Sequence, residues 1–372
     1  MKVCICYTVP STLEFAAATI QKMISEGTEV SVICSNESQL SAFAARFNIP
    51  YYVVAFDRGY NLVGDLKALR HLIKLFRSIK PDVVIGATPK AGLLSMLAST
   101  LVGVKKRIYH IFGFPFETAK GIARRLLIFI ERVSATCATN VLPISQSIAQ
   151  VCLNNKITKP KKLCRDYALT IGGVDMCRFD PAIVKSDRLK QDLGIDDSNI
   201  VIGFVGRITR DKGIYDFINV IKSLKYDNLK FLIIGDNDAR LPVDKELIEY
   251  IDNHKDIIHI NFTDKIEEYY KIMNILMIPS YREGFGNANV EAQAMKVPVV
   301  CYSVTGCVDS VQNGVSGFSV PFLDIPALKE AIETLIEDEK LRTLMGEQAR
   351  EFVQAKFTTE RVAANNVEFI LN

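Results

Sequence analysis

The chain has 372 residues, 49% hydrophobic and 23% charged, which is the composition of a globular protein long enough for two domains. Its net charge of +3 hides 22 Lys and Arg against 10 Asp and Glu in residues 1–172, and 23 against 32 in the remainder. The basic half is expected to meet an anionic surface or substrate. No aromatic-basic RNA motif or recognition-helix pattern occurs, so nucleic acid is not an expected partner.

The cysteine pattern and the hydropathy of the chain limit the cellular compartments in which the protein can be expected. Nine cysteines occur without a CxxC pair, which favours free thiols in a reducing compartment over a disulfide framework or a zinc site. No run of 18 apolar residues occurs, so no transmembrane helix is expected. The first apolar run is short and is interrupted by Pro10, unlike a signal peptide. A cytoplasmic protein is therefore expected.

Contact with the inner face of the plasma membrane is a further hypothesis. It rests on the basic N-terminal half and on cations that flank the apolar run Leu126–Ile130, namely Lys105, Lys106, Arg107, Lys120, Arg124 and Arg125. Such a segment suits a peripheral membrane face at anionic lipid. A core-facing helix with a solvated rim explains the same residues, and the sequence leaves both interpretations open.

Strand-like and helix-like segments alternate through the first half. The predicted strands are Lys2–Tyr7, Glu29–Cys34, Tyr51–Ala55, Val83–Gly86, Arg107–Ile111 and Asn140–Ile144. The predicted helices are Leu13–Glu26, Ser38–Phe47, Asp65–Ile79, Ala91–Leu101 and Thr118–Ala138. This alternation predicts an α/β fold with a parallel, doubly wound sheet and helices on both faces.

A break near Thr170–Asp175, with paired glycines, predicts a hinge between a domain at 1–172 and a second at 173–356. The predicted strands of the second half are Ile200–Val205, Leu229–Gly235, Ile257–Phe262, Leu276–Pro279 and one from Pro298, with a segment at Gly317–Val320. The predicted helices are Gly213–Ser223, Pro242–Asn253, Ile266–Met273, Asn287–Met295, Ile325–Asp338 and Glu339–Lys356. Residues 357–372 carry a last helix that is expected to pack back on the N-terminal domain.

The stretch Pro279–Val300, PSYREGFGNANVEAQAMKVPVV, predicts a strand end, a loop with two glycines, a helix and another strand. Such a unit places backbone N–H groups and the positive end of a helix dipole at the loop, which suits an anion. Glu283 in the loop and Glu291 in the helix can accept hydrogen bonds from sugar hydroxyls in one pocket. Alternatively, Glu283 is a solvated loop residue and Glu291 a helix-face charge.

A second motif, VIGFVGRITRDKG, spans Val201–Gly213 and carries Arg207 and Lys212 where a strand hands over to a helix. Arg provides a forked, two-bond grip on phosphate and Lys a mobile point charge. The pair can hold a diphosphate against the glycine loop. Solvated loop cations remain the alternative at this point.

Together these motifs resemble the GT4 family of retaining glycosyltransferases, known as glycosyl transferases group 1. The family pattern is Gly-Arg, Lys-Gly, Pro-Ser, Glu-Gly-Phe-Gly and a second Glu eight positions after the first, and every part of it is present between Gly206 and Glu291. The resemblance covers residues 170–372 closely and the first half more loosely. It implies the GT-B fold, in which two doubly wound, Rossmann-like domains face a central cleft.

The resemblance also implies roles for individual residues. Arg207 and Lys212 would hold the donor diphosphate and Glu283 the hydroxyls of the transferred sugar. Glu291 would accept from the ribose hydroxyls. Further donor contacts would come from the backbone of the glycine loop and from the turn beside the base: Gly284, Phe285, Gly286, Asn287, Thr263 and Asp264.

His110 ends a predicted strand, where members of the family often carry a histidine near the reacting sugar carbon. It is expected to act as a neutral hydrogen-bond partner, with a core histidine as the alternative. Gly113 lies two positions later than the family pattern has it. The other histidines, His71, His254 and His259, are expected to be structural or at the surface.

The implied activity is retaining, metal-independent transfer of a sugar from a UDP-linked donor to a hydroxyl. The implied acceptor is a saccharide or a lipid-linked oligosaccharide in the synthesis of a bacterial surface polysaccharide. No cofactor or metal is expected, because no Asp-x-Asp pair is expected beside a strand end and the cations take a metal's place at the leaving diphosphate. A non-hydrolysing sugar-nucleotide epimerase and a catalytically silent nucleotide-sugar-binding subunit are the alternatives, and the filled charged positions favour transfer.

Overall fold

The computed structural model describes residues 1–56, 61–164 and 172–372. These residues form two compact units, one of Met1–Gly173 with Thr359–Asn372 and the other of Val174–Thr358. The predicted domain limits at 172 and 356 lie within two residues of this division. Thr170 and Ile171, part of the predicted hinge, lie outside the described residues.

The first unit contains a parallel six-stranded sheet. Its strands are β1 Lys2–Cys6, β2 Glu29–Cys34, β3 Tyr51–Val53, β4 Val83–Ala87, β5 Lys106–Ile111 and β6 Asn140–Pro143, in the order β3-β2-β1-β4-β5-β6. Its helices are α1 Ala17–Ser25, α2 Glu37–Phe47, α3 Leu62–Ile79, α4 Pro89–Val102, α5 Gly121–Cys137 and α6 Gln146–Asn154. The sequence analysis missed α6, and it began α5 three residues early.

Side-chain alternation along β1 assigns residues to the two faces of this sheet. Cys4 and Cys6 are buried with residues of α3, α4 and α5, whereas Val3 and Ile5 are buried with residues of α1 and α2. Cys4 and Cys6 are therefore core residues, and burial raises the pKa of the Cys4 thiol to about 11. All nine cysteines are free, as predicted.

The second unit repeats the arrangement. Its strands are β7 Ile200–Val205, β8 Leu229–Ile234, β9 Ile257–Ile260, β10 Ile275–Ile278, β11 Val299–Tyr302 and β12 Gly317–Val320, in the order β12-β11-β10-β7-β8-β9. The helices are α7 Asp187–Asp192, α8 Ile214–Ser223, α9 Lys245–Asn253, α10 Ile266–Ile272, α11 Asn287–Ala294, α12 Cys307–Ser310, α13 Ile325–Glu337 and α14 Glu339–Lys356. The chain leaves β7 towards β8 and leaves β10 towards β11, in opposite directions along the sheet. A ligand crevice therefore belongs at the carboxyl ends of β7 and β10.

The last helix, α15, spans Thr359–Leu371 and belongs to the first unit. It packs against α1, where the Asn366 amide donates to the Thr19 hydroxyl at 3.3 Å. Its buried residues Val367 and Ile370 join the core on the α1 face. In the part of the chain that the structure describes, no helix is long and apolar enough to cross a membrane.

Candidate functional site

The two motifs of the second unit meet at the crevice between β7 and β10. Gly213 has φ +77, and a Cβ built on it would lie 1.8 Å from the Pro279 carbonyl oxygen. The Tyr281 N–H also donates to the Asp211 carbonyl at 2.9 Å. Glycine is therefore required at position 213 both for its backbone angle and for the close approach. The structure thus brings together the Arg207–Lys212 loop and the glycine loop, as the sequence predicted.

Lys212 and Glu283 form an ion pair, with Nζ and Oε1 separated by 2.6 Å. The Ser280 hydroxyl donates to the same carboxylate oxygen at 2.8 Å. Both charged side chains are largely buried, at 23% and 15% exposure. The sequence predicted Lys212 and Glu283 as separate donor contacts, and neither their pairing nor the hydrogen bond from Ser280 was predicted.

Arg207 also has a carboxylate partner. Its Nη1 lies 2.7 Å from Asp238 Oδ2, and Arg240 donates to both Asp238 oxygens at 2.8 Å. Hydrogen bonds from Arg240 and then from Arg207 hold the pKa of Asp238 well below its usual range. Asp238 follows β8, which lies next to β7, so its contact with Arg207 depends on the strand order.

Neither Asp238 nor Arg240 was predicted as a site residue. Asp236 and Asp238 form an Asp-x-Asp sequence directly after β8, so the prediction that no such pair lies beside a strand end was wrong. Asp236 accepts from the Phe262 N–H at 3.0 Å, so both carboxylates are engaged by protein groups. Within the described ranges, no group of three or more His, Cys, Asp or Glu side chains is arranged to hold a metal ion.

The glycine loop leads into the N-terminus of α11. Gly286, with φ +91, is the N-cap residue and has no side chain to cap the first N–H groups of the helix, which can therefore bind an anion. Asn289 and Ser310, which hydrogen-bond each other at 2.9 Å, lie directly behind Gly286. Phe285 is buried and packs edge-on against Phe357 at 4.9 Å between ring centroids.

Glu291 lies on α11 and accepts from the Tyr270 hydroxyl at 3.2 Å. Burial raises the pKa of Glu291 to about 7, against the lowering effects of Tyr270 and Arg178. The described contacts do not join Glu291 to Glu283: one carboxylate is held by Tyr270 and the other by Lys212 and Ser280. The two glutamates therefore occupy distinct environments along α11 and the loop before it.

The turn after β9 carries Thr263 and Asp264. The Thr263 hydroxyl accepts from the Lys265 N–H at 3.1 Å, and the Arg178 guanidinium donates to the Asp264 carbonyl. Arg178 also binds Glu267 at 2.7 Å. Phe262, at the start of this turn, is 77% exposed.

His110 lies in the first unit, near the carboxyl end of β5, and is buried. Burial lowers its pKa to about 3, so the ring is neutral, which suits both the predicted hydrogen-bond partner and the core histidine. Its ring packs edge-on against Phe112 at 4.7 Å. His71 is exposed on α3, while His254 accepts from the Asp256 N–H at 3.2 Å and His259 lies 3.3 Å from Asp252, so these three have surface or structural positions.

Comparison with known proteins identifies the class that this fold and site define. Residues 14–162 match the model of a "Glycosyl transferase 4-like domain", and residues 185–352 match that of "Glycosyl transferases group 1". A solved structure of HepE from Anabaena in complex with UDP and glucose aligns with a TM-score of 0.81 at 18% identity, over 100% of this chain and 99% of that one. The two parallel sheets are thus those of the GT-B fold.

Two curated relatives support the family at the level of sequence. The chain is 32% identical to the "Capsular polysaccharide biosynthesis glycosyltransferase CapM" of Staphylococcus aureus, over 95% of this chain and 92% of the relative. It is 25% identical to a "UDP-Gal:alpha-D-GlcNAc-diphosphoundecaprenol alpha-1,3-galactosyltransferase" of Escherichia coli, over 87% of this chain and 83% of that one. The chain belongs to the glycosyl transferases group 1 family, and it is a glycosyltransferase.

Proposed function

We propose that this enzyme transfers a sugar, with retention, from a UDP-sugar to a hydroxyl of a saccharide or a lipid-linked oligosaccharide in cell-surface polysaccharide synthesis. The observation that carries the proposal is the Lys212–Glu283 pair, which lies beside the uncapped N-terminus of α11 at the switch point of the sheet. The names of the relatives support the substrate classes: one concerns a capsule, and the other a UDP-linked donor with a diphosphoundecaprenol-linked acceptor.

In this proposal the cations stabilise the leaving group. Lys212, Arg207 and the first N–H groups of α11 bind the donor diphosphate, where negative charge grows as the bond from the sugar carbon to the phosphate oxygen breaks. The acceptor oxygen forms its bond to the same carbon on the same face. Its proton passes to the departing phosphate oxygen, so no side chain has to act as a base, and neither a metal nor a cofactor is needed.

The remaining residues would recognise the donor. As the diphosphate attracts Lys212, the Glu283 carboxylate gains free lone pairs for hydroxyls of the sugar. Glu291 accepts from the ribose, and the backbone of Gly284, Phe285, Gly286 and Asn287 lines the sugar and phosphates. Thr263 and Asp264 lie against the base. His110, being neutral, contributes hydrogen bonds to the sugar rather than charge.

Loss of Lys212 tests the donor clamp. Lys212→Ala should abolish most stabilisation by UDP-sugars in a thermal-shift screen, since a bound donor raises apparent stability by mass action. It should also abolish transfer to an acceptor. Lys230→Ala is the matched control, because Lys230 pairs with Asp256 at 2.9 Å with similar exposure near the opposite end of the sheet. Full donor binding and transfer by Lys212→Ala would overturn the proposal.

Two incubations separate transfer from the alternatives. A UDP-sugar held with enzyme but no acceptor should remain unchanged, whereas an epimerase would isomerise it. With an acceptor, the glycoside should form with retained anomeric configuration, and a chelator should leave its rate unaltered. A silent binding subunit would form no product under either condition.

We also propose that the protein acts in the cytoplasm at the inner face of the plasma membrane. A lipid-linked acceptor presents its saccharide at a bilayer surface, so an enzyme that uses one gains from being held there. The basic balance of the N-terminal half supports this location, because inner leaflets carry anionic lipid.

A further inference from the structure

We infer that the N-terminal halves of α3 and α5 form one docking surface for an anionic lipid bilayer, here called the bilayer edge. It consists of two apolar anchors with the cations between and beside them: Leu62, Val63, Leu66, Lys67 and Arg70 on α3, and Lys120, Ile122, Arg125, Leu126 and Phe129 on and before α5. The inference deepens the proposed location and rests on the proposed lipid-linked acceptor for its purpose. Binding itself can be measured without any transfer.

The α5 anchor is an exposed apolar stripe. Ile122, Leu126 and Phe129 are 84%, 46% and 62% exposed. Their spacing of four and then three residues puts them on one face of the helix. The opposite face already packs in the core through Ile128 and Ala135. The core-facing interpretation of this helix therefore accounts for one face only, and the exposed stripe has no partner in the described chain.

The α3 anchor has the same character. Leu62, Val63 and Leu66 are 82%, 65% and 54% exposed, in the first two turns of the helix. The rest of the helix packs normally, with Leu72 and Phe76 fully buried. Large side chains in water at the start of a well-packed helix indicate a contact surface rather than an unfinished core.

Topology puts both anchors at one edge of the sheet. Each helix returns the chain from the carboxyl end of a strand to the amino end of the next, so its N-terminal half lies towards the carboxyl edge. α3 and α5 line the same face of the sheet, and α4 packs against both. A single flat surface can therefore touch both anchors.

The positive charge at the bilayer edge favours an anionic lipid surface as its binding partner. Lys120 and Arg125 are exposed and form no ion pair within the described residues, and the same holds for Lys67 and Arg70 on α3. α5 starts with no acidic residue in its first turn, so cations lie at the positive end of its dipole, which is unfavourable without an anion. Cations around exposed apolar side chains match lipid phosphates above acyl chains.

The structure also divides the basic residues that the sequence grouped together. Lys106 donates to the Phe369 carbonyl at 2.8 Å, and Arg107 donates to the Cys137 and Val104 carbonyls. Both lie at the start of β5, at the amino edge, and both are occupied by protein groups. They do not belong to the bilayer edge. Residues at the amino edge of the sheet can therefore serve as controls.

Sedimentation with vesicles tests the inference on the full chain. The protein should bind vesicles of phosphatidylcholine with phosphatidylglycerol, and not vesicles of phosphatidylcholine alone. Lys120→Gln with Arg125→Gln should weaken binding about 30-fold, since each cation near an anionic surface contributes about 1 kcal/mol. Ile122→Ser with Phe129→Ser should weaken it about tenfold or more through lost apolar burial.

Controls at the amino edge separate this surface from general basicity. Leu101→Ser removes an equally exposed apolar side chain, 65% exposed, from the last turn of α4. Lys80→Gln with Lys105→Gln removes two exposed cations from the same edge. These variants should bind like the unaltered protein.

Three results would overturn the inference. One is equal or negligible binding of the unaltered protein to both kinds of vesicle, and another is the same loss in the amino-edge controls. The third is a change from dimer to monomer, by light scattering, in the Ile122→Ser with Phe129→Ser variant, which would assign the stripe to a second copy of the chain. All edge variants should keep full transfer to a soluble acceptor, so failure here stays distinct from failure of the proposed function.

Discussion

Gly213→Ala tests whether the contact between the two loops sets the donor site. The new Cβ would lie 1.8 Å from the Pro279 carbonyl oxygen, where ordinary contacts are roughly 3.4 Å, so the loops must separate by about 1.5 Å. Backbone cannot rotate aside as a side chain can. The left-handed angle alone costs an alanine about 1–2 kcal/mol, and the forced separation adds about 1–3 kcal/mol.

Gly103→Ala is the matched control. Gly103 has φ +78 and ψ 29, against +77 and 24 for Gly213, and no atom lies within 4 Å of its added Cβ. It should show the cost of the backbone angle without the collision. The difference between the two variants in free energy of unfolding, measured with urea, isolates the contact with Pro279.

The same substitution should impair catalysis. Lys212 adjoins Gly213, and Glu283 lies in the loop that would move, so the 2.6 Å pair between them should break. A misplacement of about 1 Å at an active site can lower the rate about 100-fold. The measurement is kcat/KM for the UDP-sugar under conditions where the variant is still folded. Activity equal to that of Gly103→Ala would refute the view that this contact positions the clamp.

Three other changes have expected outcomes. Asp238→Asn should raise the donor KM several-fold with little change in kcat, because it releases Arg207, and Asp256→Asn should leave KM unaltered. Calorimetry should show UDP-sugar affinity falling about tenfold from pH 8 to pH 6 as Glu291, with a pKa of about 7, becomes protonated, and Glu291→Gln should flatten that profile. Burial raises the pKa of Glu131 from 4.5 to about 7, so stability should be full below pH 4.5 and fall by about 3 kcal/mol as pH rises through 7, a loss that Glu131→Gln should remove in urea titrations. If the UDP-sugar affinity of the unaltered protein did not change with pH, the Glu291 prediction would be wrong. If its free energy of unfolding did not change with pH, the Glu131 prediction would be wrong.

Local chemistry explains what the sequence could predict. Periodicity located the strands because both sheets are buried on two faces, and β2 and β7 have their predicted limits. The glycine loop could be predicted because glycines directly before a helix start are typical of an anion-binding loop. α6 was missed because it is short, although Ser145 caps it through the Ile148 N–H at 3.2 Å.

What could not be predicted depends on which strands become neighbours. Asp238 meets Arg207 because β8 lies beside β7, and no local pattern specifies that order. The basic residues around Leu126 looked like one group in the sequence, but the fold places Lys106 and Arg107 at the opposite edge from Lys120. The Asp-x-Asp sequence that begins at Asp236 could have been recognised from the sequence alone, but it was overlooked.

The carboxylate partners of Lys212 and Arg207 affect how these two cations can bind a diphosphate. Lys212 and Arg207 each pair with a carboxylate, so a diphosphate that binds them has to compete with Glu283 and Asp238. Arg207 can keep Asp238 on one nitrogen and offer its other N–H groups to phosphate, since guanidinium has five. In the proposed mechanism Lys212, whose charge is compact, shares that charge between Glu283 and the diphosphate, which loosens Glu283 as a sugar hydroxyl arrives. Under this proposal, diphosphate and sugar recognition are coupled through one ion pair, and a nucleoside diphosphate lacking the sugar should leave Glu283 without a replacement for Lys212.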